Sequence, residues 1–447
     1  MRRCLITILL TVLPLGAFAQ ELTLEQCLEA ASGGNVTLRG SSLDVQAAKA
    51  QQTEARWEFV PRVSVTAIGY DALNPMLKIT LGDVLGSSDN AQVLKENISA
   101  LAYENGIKPY YSTLSHGYGV TATLLQPLYA GGRIINGNRL ADLGVEAAAL
   151  KDHMASLGVR DSVESKYWRI VALQEKKRTL EEASSMLERL ENDLGSAVSS
   201  GLAVESDMAR LNLKRMELES GLFRLEGSLS LLKMELMDYA GIQYDCLDIK
   251  NIHLSGTLDE LPSPEEVLAT GPSVESLDAA RLLQLAVDAK KTEKKIAIGE
   301  FLPQVAVGAT YGYNAMMLPK NGSFNGILFA TVKVPLTDIG KASARARRYD
   351  YAAQKAEIDR DYYLSRLRLQ EAKCRLDVET LWMEISMAEQ RVALADDKLS
   401  KTRIRFSAGQ ATASEVLQAS LEATSERESL LQTKTAYLGA VNAWRHR

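Results

Sequence analysis

One junction occurs twice in this chain, and it limits what the chain can become. The first copy reads Leu125-Gln126-Pro127-Leu128-Tyr129-Ala130-Gly131-Gly132-Arg133, after the alternating run Val120-Thr121-Ala122-Thr123-Leu124. The second reads Val334-Pro335-Leu336-Thr337-Asp338-Ile339-Gly340-Lys341, and Pro127 and Pro335 are 208 residues apart. Alternation marks a half-buried strand. Proline ends a strand or sits at its margin, because it donates nothing to a ladder. Gly131 and Gly132 supply the loose backbone needed where a strand turns into a helix.

Behind each junction the apolar residues repeat at sevens. Leu140, Ala147 and Met154 are joined by Leu143, Leu150 and Leu157, and the seam continues as Leu173, Leu180, Leu187 and Leu194. A second helix carries Leu211, Leu218, Leu225 and Leu232, with Leu222, Leu229 and Leu236. In the second half the series are Val378, Ile385, Val392, Leu399, Phe406 and then Val416, Ala423, Leu430, Tyr437, Trp444. Sustained sevenfold spacing specifies a coiled coil. Arg133 to the turn residue Gly201 is 68 residues, and Lys341 to Gly409 is also 68. Two helices of that length, about 100 Å each at 1.5 Å per residue, spaced alike, mean a duplication.

The remaining segments fit one plan. Arg2 and Arg3, the apolar stretch Leu5 to Leu15 and Ala17-Phe18-Ala19 read as a signal peptide over 1–19. No cysteine follows the expected cut, so no lipid anchor is expected, and Cys27, Cys246 and Cys374 form neither a disulfide framework nor a zinc spacing. The first repeat covers 20–240, with Thr23 and Gln26 as a capping box, a helix over about 41–58, strands at about 60–70 and 117–127, and long helices at about 134–198 and 203–240. A linker over 241–276 holds Pro262, Pro264, Gly271 and Pro272. The second repeat covers 277–447, with strands at about 302–313 and 326–335 and long helices at about 342–406 and 412–444.

The two strand pairs differ in length. Pro61 to Pro127 spans 66 residues against 32 for Pro303 to Pro335, and the extra 34 fall in 71–114, rich in Gly, Asn, Ser and Asp. An insertion at a strand tip reads as an external loop, with a short helix over 90–103. Tyr70, Tyr118, Tyr311 and Tyr313 are candidates for an interfacial aromatic girdle, and strand propensity alone would also place tyrosines there.

Composition removes other classes. A net charge of −5 without a long basic run gives no nucleic-acid partner. No apolar run reaches the ~18 residues of a membrane helix, so a membrane can be crossed only by a closed barrel. The four histidines, His116, His153, His253 and His446, stand far apart without motif neighbours, and no nucleophile elbow, phosphate loop or metal spacing is present. No enzyme, cofactor or metal is expected.

The paired junctions and the paired 68-residue spacings together resemble the outer-membrane efflux protein family, the TolC-like proteins, over nearly the whole chain past the signal peptide. That resemblance implies a mainly α fold with a small β portion. Each half is a strand pair followed by a pair of very long antiparallel coiled-coil helices. Four strands fall short of the roughly eight a barrel needs, so the chain contributes them to an oligomeric outer-membrane barrel, and the helices form a periplasmic tunnel. The implied protein is a homotrimer, an exit duct for efflux or type I secretion. Its implied partners are a periplasmic adaptor, an inner-membrane pump and outer-membrane lipid. An exported periplasmic coiled-coil scaffold would explain the heptads and the export, but not two proline-marked strand pairs.

The resemblance also supplies candidate sites. Asp207 and Glu415, equivalent at the 208-residue offset, match the family's acidic pore constriction. An acid in the first turn of a helix also complements the helix dipole. The adaptor-contact candidates are Gly201, Leu202, Gly409 and Gln410, of which the two glycines also read as helix C-caps. Gln418 and Ala411 depart from the family pattern of a second acid and an arginine, so the same gate lock is not expected.

Overall fold

The computed structural model describes residues 21–74, 77–86, 88–106, 110–113, 116–199, 204–246, 248–315, 322–336 and 338–447. The expected signal peptide, and the turn residues Gly201 and Leu202, lie outside the described residues.

The first half runs β1 (Glu21–Leu22), α1 (Leu24–Gly34), α2 (Val36–Trp57), β2 (Arg62–Asp71), β3 (Leu77–Thr80), α3 (Leu81–Leu85), α4 (Asp89–Glu104), β4 (Tyr110–Thr113), β5 (His116–Ala130), α5 (Arg133–Ser199) and α6 (Glu205–Ala240). A connecting segment carries β6 (His253–Leu254) and α7 (Pro264–Ala269). The second half runs α8 (Asp278–Gly299), β7 (Gln304–Ala315), β8 (Ser323–Lys333), α9 (Ile339–Ser407) and α10 (Ala413–Arg445). The long helices α5 and α9 hold 67 and 69 residues. The insertion between β2 and β5 contains a β3–β4 hairpin as well as α3 and α4, so it is more structured than a plain loop.

The chain forms two compact units, and each takes segments from both sequence halves. One comprises residues 48–145 and 286–357. Its centre is a four-stranded antiparallel sheet in the order β2-β5-β7-β8. β5 does not end at Pro127 but continues to Ala130, with the register shifting between Pro127 and Tyr129. A bulge is where a ladder accepts a residue with no N–H. β8 ends at Lys333, ahead of Pro335, and Gly340 lies within α9. The helices flanking the sheet are tied in pairs. Asn138 Nδ2 donates to Ala55 O (2.8 Å) and Gln52 Nε2 to Asp142 Oδ1 (2.7 Å), joining α2 to α5. Lys291 and Lys294 bridge Glu357 and Asp350, each at 2.7 Å, joining α8 to α9.

The other unit comprises residues up to 47, 146–285 and 358–447. Here the sevenfold seams become the core. Leu187, Leu190 and Leu194 of α5 pack with Leu211 of α6 and Val416 and Leu417 of α10. Val378 and Ile385 of α9 pack with Tyr437, Val441 and Trp444 of α10. Met154 does not follow the seam and is exposed. The buried line below it is Val159, Val163, Tyr167 and Ile170. Those steps of four, four and three follow an elevenfold rather than sevenfold period. The Tyr167 hydroxyl donates to Ser255 O, fixing the connecting segment beside the parallel pair β1–β6. Trp444 Nε1 donates to Val267 O (2.9 Å), and the Tyr437 hydroxyl to Pro262 O (2.6 Å).

Candidate channel wall and constriction

Pairing fixes which side chains share a face of the sheet, because neighbours in register point the same way. One face carries Val63, Val65, Val120, Ala122, Leu124, Val307, Ala309, Leu328 and Val332. The other carries Ser64, Thr66, Thr121, Thr123, Thr310, Asn314, Asn325 and Thr331, with Ile68, Leu125, Ile327 and Phe329 among them. The apolar face is bare in the single chain: Leu328 is 87% exposed and Val65 69%. Valines and leucines left open over a whole face of a sheet need an apolar surrounding. Apolar residues outward alternating with polar residues inward is the pattern of a membrane barrel wall.

At one end of the apolar face Tyr118 stacks on Tyr313 with ring centroids 5.9 Å apart. Phe324 stacks on Tyr311 (5.9 Å) and meets Tyr313 edge-on (5.3 Å). Tyr118, Tyr311 and Tyr313 therefore form one aromatic patch. Tyr70 does not join it. Gly69 is the register partner of Tyr118, so Tyr70 stands on the polar face. Phe324, absent from the sequence expectation, completes the patch. It stands ahead of the strand expected over about 326–335, and β8 in fact begins at Ser323.

Within the other unit the starts of α6 and α10 meet. Arg210 Nη1 donates to Ser414 Oγ (3.2 Å), and Asp207 borders the same small crevice as Arg210 and Ser414. Asp207 and Glu415 hold equivalent places, the third residue of their helices, after Val204 and Thr412 as N-caps. They differ in what they bind. The Thr412 hydroxyl accepts from Glu415 N–H (3.2 Å), and the Glu415 carboxylate accepts from Thr412 N–H (3.3 Å), closing a capping box. Val204 has no hydroxyl, and no side chain caps α6. Glu415 is thus engaged at its own helix start, whereas Asp207 belongs to no such box. The Thr-x-x-Glu signature at 412–415 was readable in the sequence.

At the end of α9, Gly409 takes φ +71°, Gly409 N–H donates to Phe406 O (2.9 Å) and Gln410 N–H to Arg405 O (2.8 Å). These paired bonds are a left-handed helix stop. Both Gly409 and Gln410 are exposed. Among the described residues no group of His, Cys, Asp and Glu side chains could hold a metal ion, and no helix is long and apolar enough to cross a membrane.

The described residues thus hold a two-faced sheet of four strands with open edges and, separately, pairs of very long coiled-coil helices. Comparison with known proteins is specific. Residues 276–445 match the outer membrane efflux protein family. That is the family the paired junctions resemble, and the resemblance is borne out over these residues. The outer membrane protein VceC of Vibrio cholerae shares the fold, with TM-score 0.74 and 17% identity, over 94% of each chain. The CmeC outer membrane channel of Campylobacter jejuni shares it at TM-score 0.73 and 14% identity, over 94% of this chain and 84% of that one. The MtrE outer membrane channel of Neisseria gonorrhoeae does so at 0.73 and 14%, over 97% and 92%. No curated protein sequence matches. These three structures show the fold that the chain adopts, mainly helical with a small β portion.

Proposed function

We propose that the protein is a passive exit duct assembled from three copies, taking small molecules or proteins across the periplasm and outer membrane in an efflux or type I secretion system. The two-faced sheet carries this reading. Within the sheet β2 and β8 each have one neighbour, so both edges are open to further strands. Three copies of four strands give twelve, an even number in the range of outer-membrane barrels. A periplasmic adaptor meets the exposed helix ends at Gly409 and Gln410 and their counterparts Gly201 and Leu202, and an inner-membrane pump supplies the energy. Asp207 lines the constriction, and Glu415 chiefly holds the start of α10.

The test is native membrane fractionation with cross-linking. The duct requires an outer-membrane trimer that leaves only with detergent. Release of the protein by osmotic shock, or cross-linking that traps only monomers, points instead to a periplasmic scaffold.

A further inference from the structure

In the unit that holds the sheet, a cavity of about 460 Å³ opens where the strands meet the helices. Its walls are apolar: Ala55, Leu125, Pro127, Ala130, Ile134 and Ile296. Its charged groups are Glu58, Arg62 and Arg133. Arg62 is bridged to Glu58. Arg133 has no carboxylate partner among the described residues, so the cavity carries one uncompensated positive charge. Arg133 is also the first residue of α5, where free backbone N–H groups add to the positive potential.

The position of Arg133 is built in. A Cβ on Gly299 would stand 2.8 Å from Arg133 Cγ, so the arginine stem lies directly over that glycine. Asn138 is held by donating to Ala55 O and Ile134 O (2.8 and 2.9 Å), which leaves its amide oxygen to accept.

The register says which way the cavity faces. Arg62 and Leu125 are partners on the polar side of the sheet, and Pro127 follows two residues on. On the reading of the sheet as a barrel wall, that side is the lumen. We propose that this cavity is a cargo-contact site for an anionic amphiphile, a molecule with a carboxylate, sulfonate or phosphate head and an apolar body. Arg133 takes the head, and Leu125, Ile134 and Ile296 take the body. A guanidinium–oxyanion contact is charge-assisted and directional, while the aliphatic walls accept many shapes. A small inorganic anion gains only the first of these contacts. The site and an acidic ring at the α6 start act on different properties: the ring filters small ions by charge, and the cavity holds an apolar body.

The experiment uses the full-length protein in planar bilayers, with decanoate and decyltrimethylammonium as probes. Decanoate should block single-channel current in a saturable way, and the cationic analogue should not. Arg133→Gln should raise the blocking concentration about fivefold or more, and Arg133→Lys should restore part of the effect. Gly137→Leu, at a lining position where a Cβ meets nothing within 4 Å, should weaken block without altering charge. Block is read as a fraction of each variant's own unitary conductance. Equal block by both probes, or block unchanged in Arg133→Gln, overturns the site while leaving the duct intact. Protein that reaches the bilayer but never conducts overturns the duct itself. An acidic phospholipid that co-purifies with the parent and is lost from Arg133→Gln, detected by native mass spectrometry, would make the cavity a lipid site and overturn the cargo reading.

Discussion

Gly131 and Gly299 meet backbone to backbone. A Cβ on Gly131 would stand 2.0 Å from the Gly299 carbonyl oxygen, and one on Gly299 would stand 2.5 Å from the Gly131 oxygen. Gly131 also takes φ +64° and Gly132 φ +75°, a region that costs other residues about 1–2 kcal/mol. The passage from β5 into α5 is thereby pressed against the end of α8. At the second junction Gly340 sits inside a helix, and a Cβ there meets nothing within 4 Å.

The two junctions should therefore respond differently to the same change. Gly131→Ala should destabilise the fold by roughly 3 kcal/mol or more, in the range reserved for backbone clashes and special conformations. It should abolish the heat-resistant oligomer on unheated gels. Gly340→Ala should leave that oligomer in place. Equal tolerance at both sites would show that the contact does not hold the junction.

The two acids should also separate. Glu415→Ala, or Thr412→Val, removes the α10 capping box and should cost about 1 kcal/mol, read as a lower thermal midpoint with little change in ion selectivity. Asp207→Ala should do the reverse, weakening cation selectivity in reversal-potential measurements with little loss of stability. If Asp207→Ala leaves selectivity at the parent value, that carboxylate serves only the helix dipole.

Glu164 gives a pH dependence. Burial acts on this carboxyl first and would raise its pKa, but hydrogen bonds from His446 (3.2 Å) and Arg160 (3.1 Å) and their charges outweigh burial and hold it below the usual carboxylate range. A depressed carboxyl contributes stability above its unfolded pKa and loses it as the pH falls through the folded value. At pH 7 Glu164→Gln should lower the midpoint of thermal unfolding. The gap between variant and parent should close as the pH drops below about 4. A gap constant between pH 7 and pH 3 would remove this carboxyl from the acid response.

The insertion over 71–114 should be reachable by protease on whole cells, since it sits at the tip of the first strand pair. Replacing it by a link of about seven residues should leave oligomer assembly intact, because shortening a loop changes closure entropy only slightly. Cleavage that occurs only after the outer membrane is broken would place that tip on the periplasmic side.

Much of the architecture was legible because it is periodic. Sevenfold leucines announced α5, α6, α9 and α10, and alternating valines announced the strands. Pro127 misled by one turn of chain, because whether proline ends a strand or rides through on a bulge depends on the neighbouring strand, here β7. Tyr70 was misplaced for a related reason. A one-residue difference in register sends a side chain to the opposite face, and register is set by pairing partners far along the chain. The equivalence of Asp207 and Glu415 was visible in the 208-residue offset. Their different attachments follow from Val204 against Thr412, a contrast that becomes decisive only once both are seen as caps. Gly299 gave no local signal, because its neighbour Gly131 is 168 residues away.

The open edges at β2 and β8 have a kinetic consequence. A lone chain is an unfinished object, with two unpaired strand edges and a bare apolar face. On the proposed three-copy assembly, completion requires three molecules to meet, so its rate should climb steeply with the number of chains waiting and stall when they are few. During that wait the same edges are open to the wrong strand. The cell must therefore either supply chains in bursts or shield each one until its companions arrive, and scarcity of this protein would be felt first as loss of yield and only later as loss of transport.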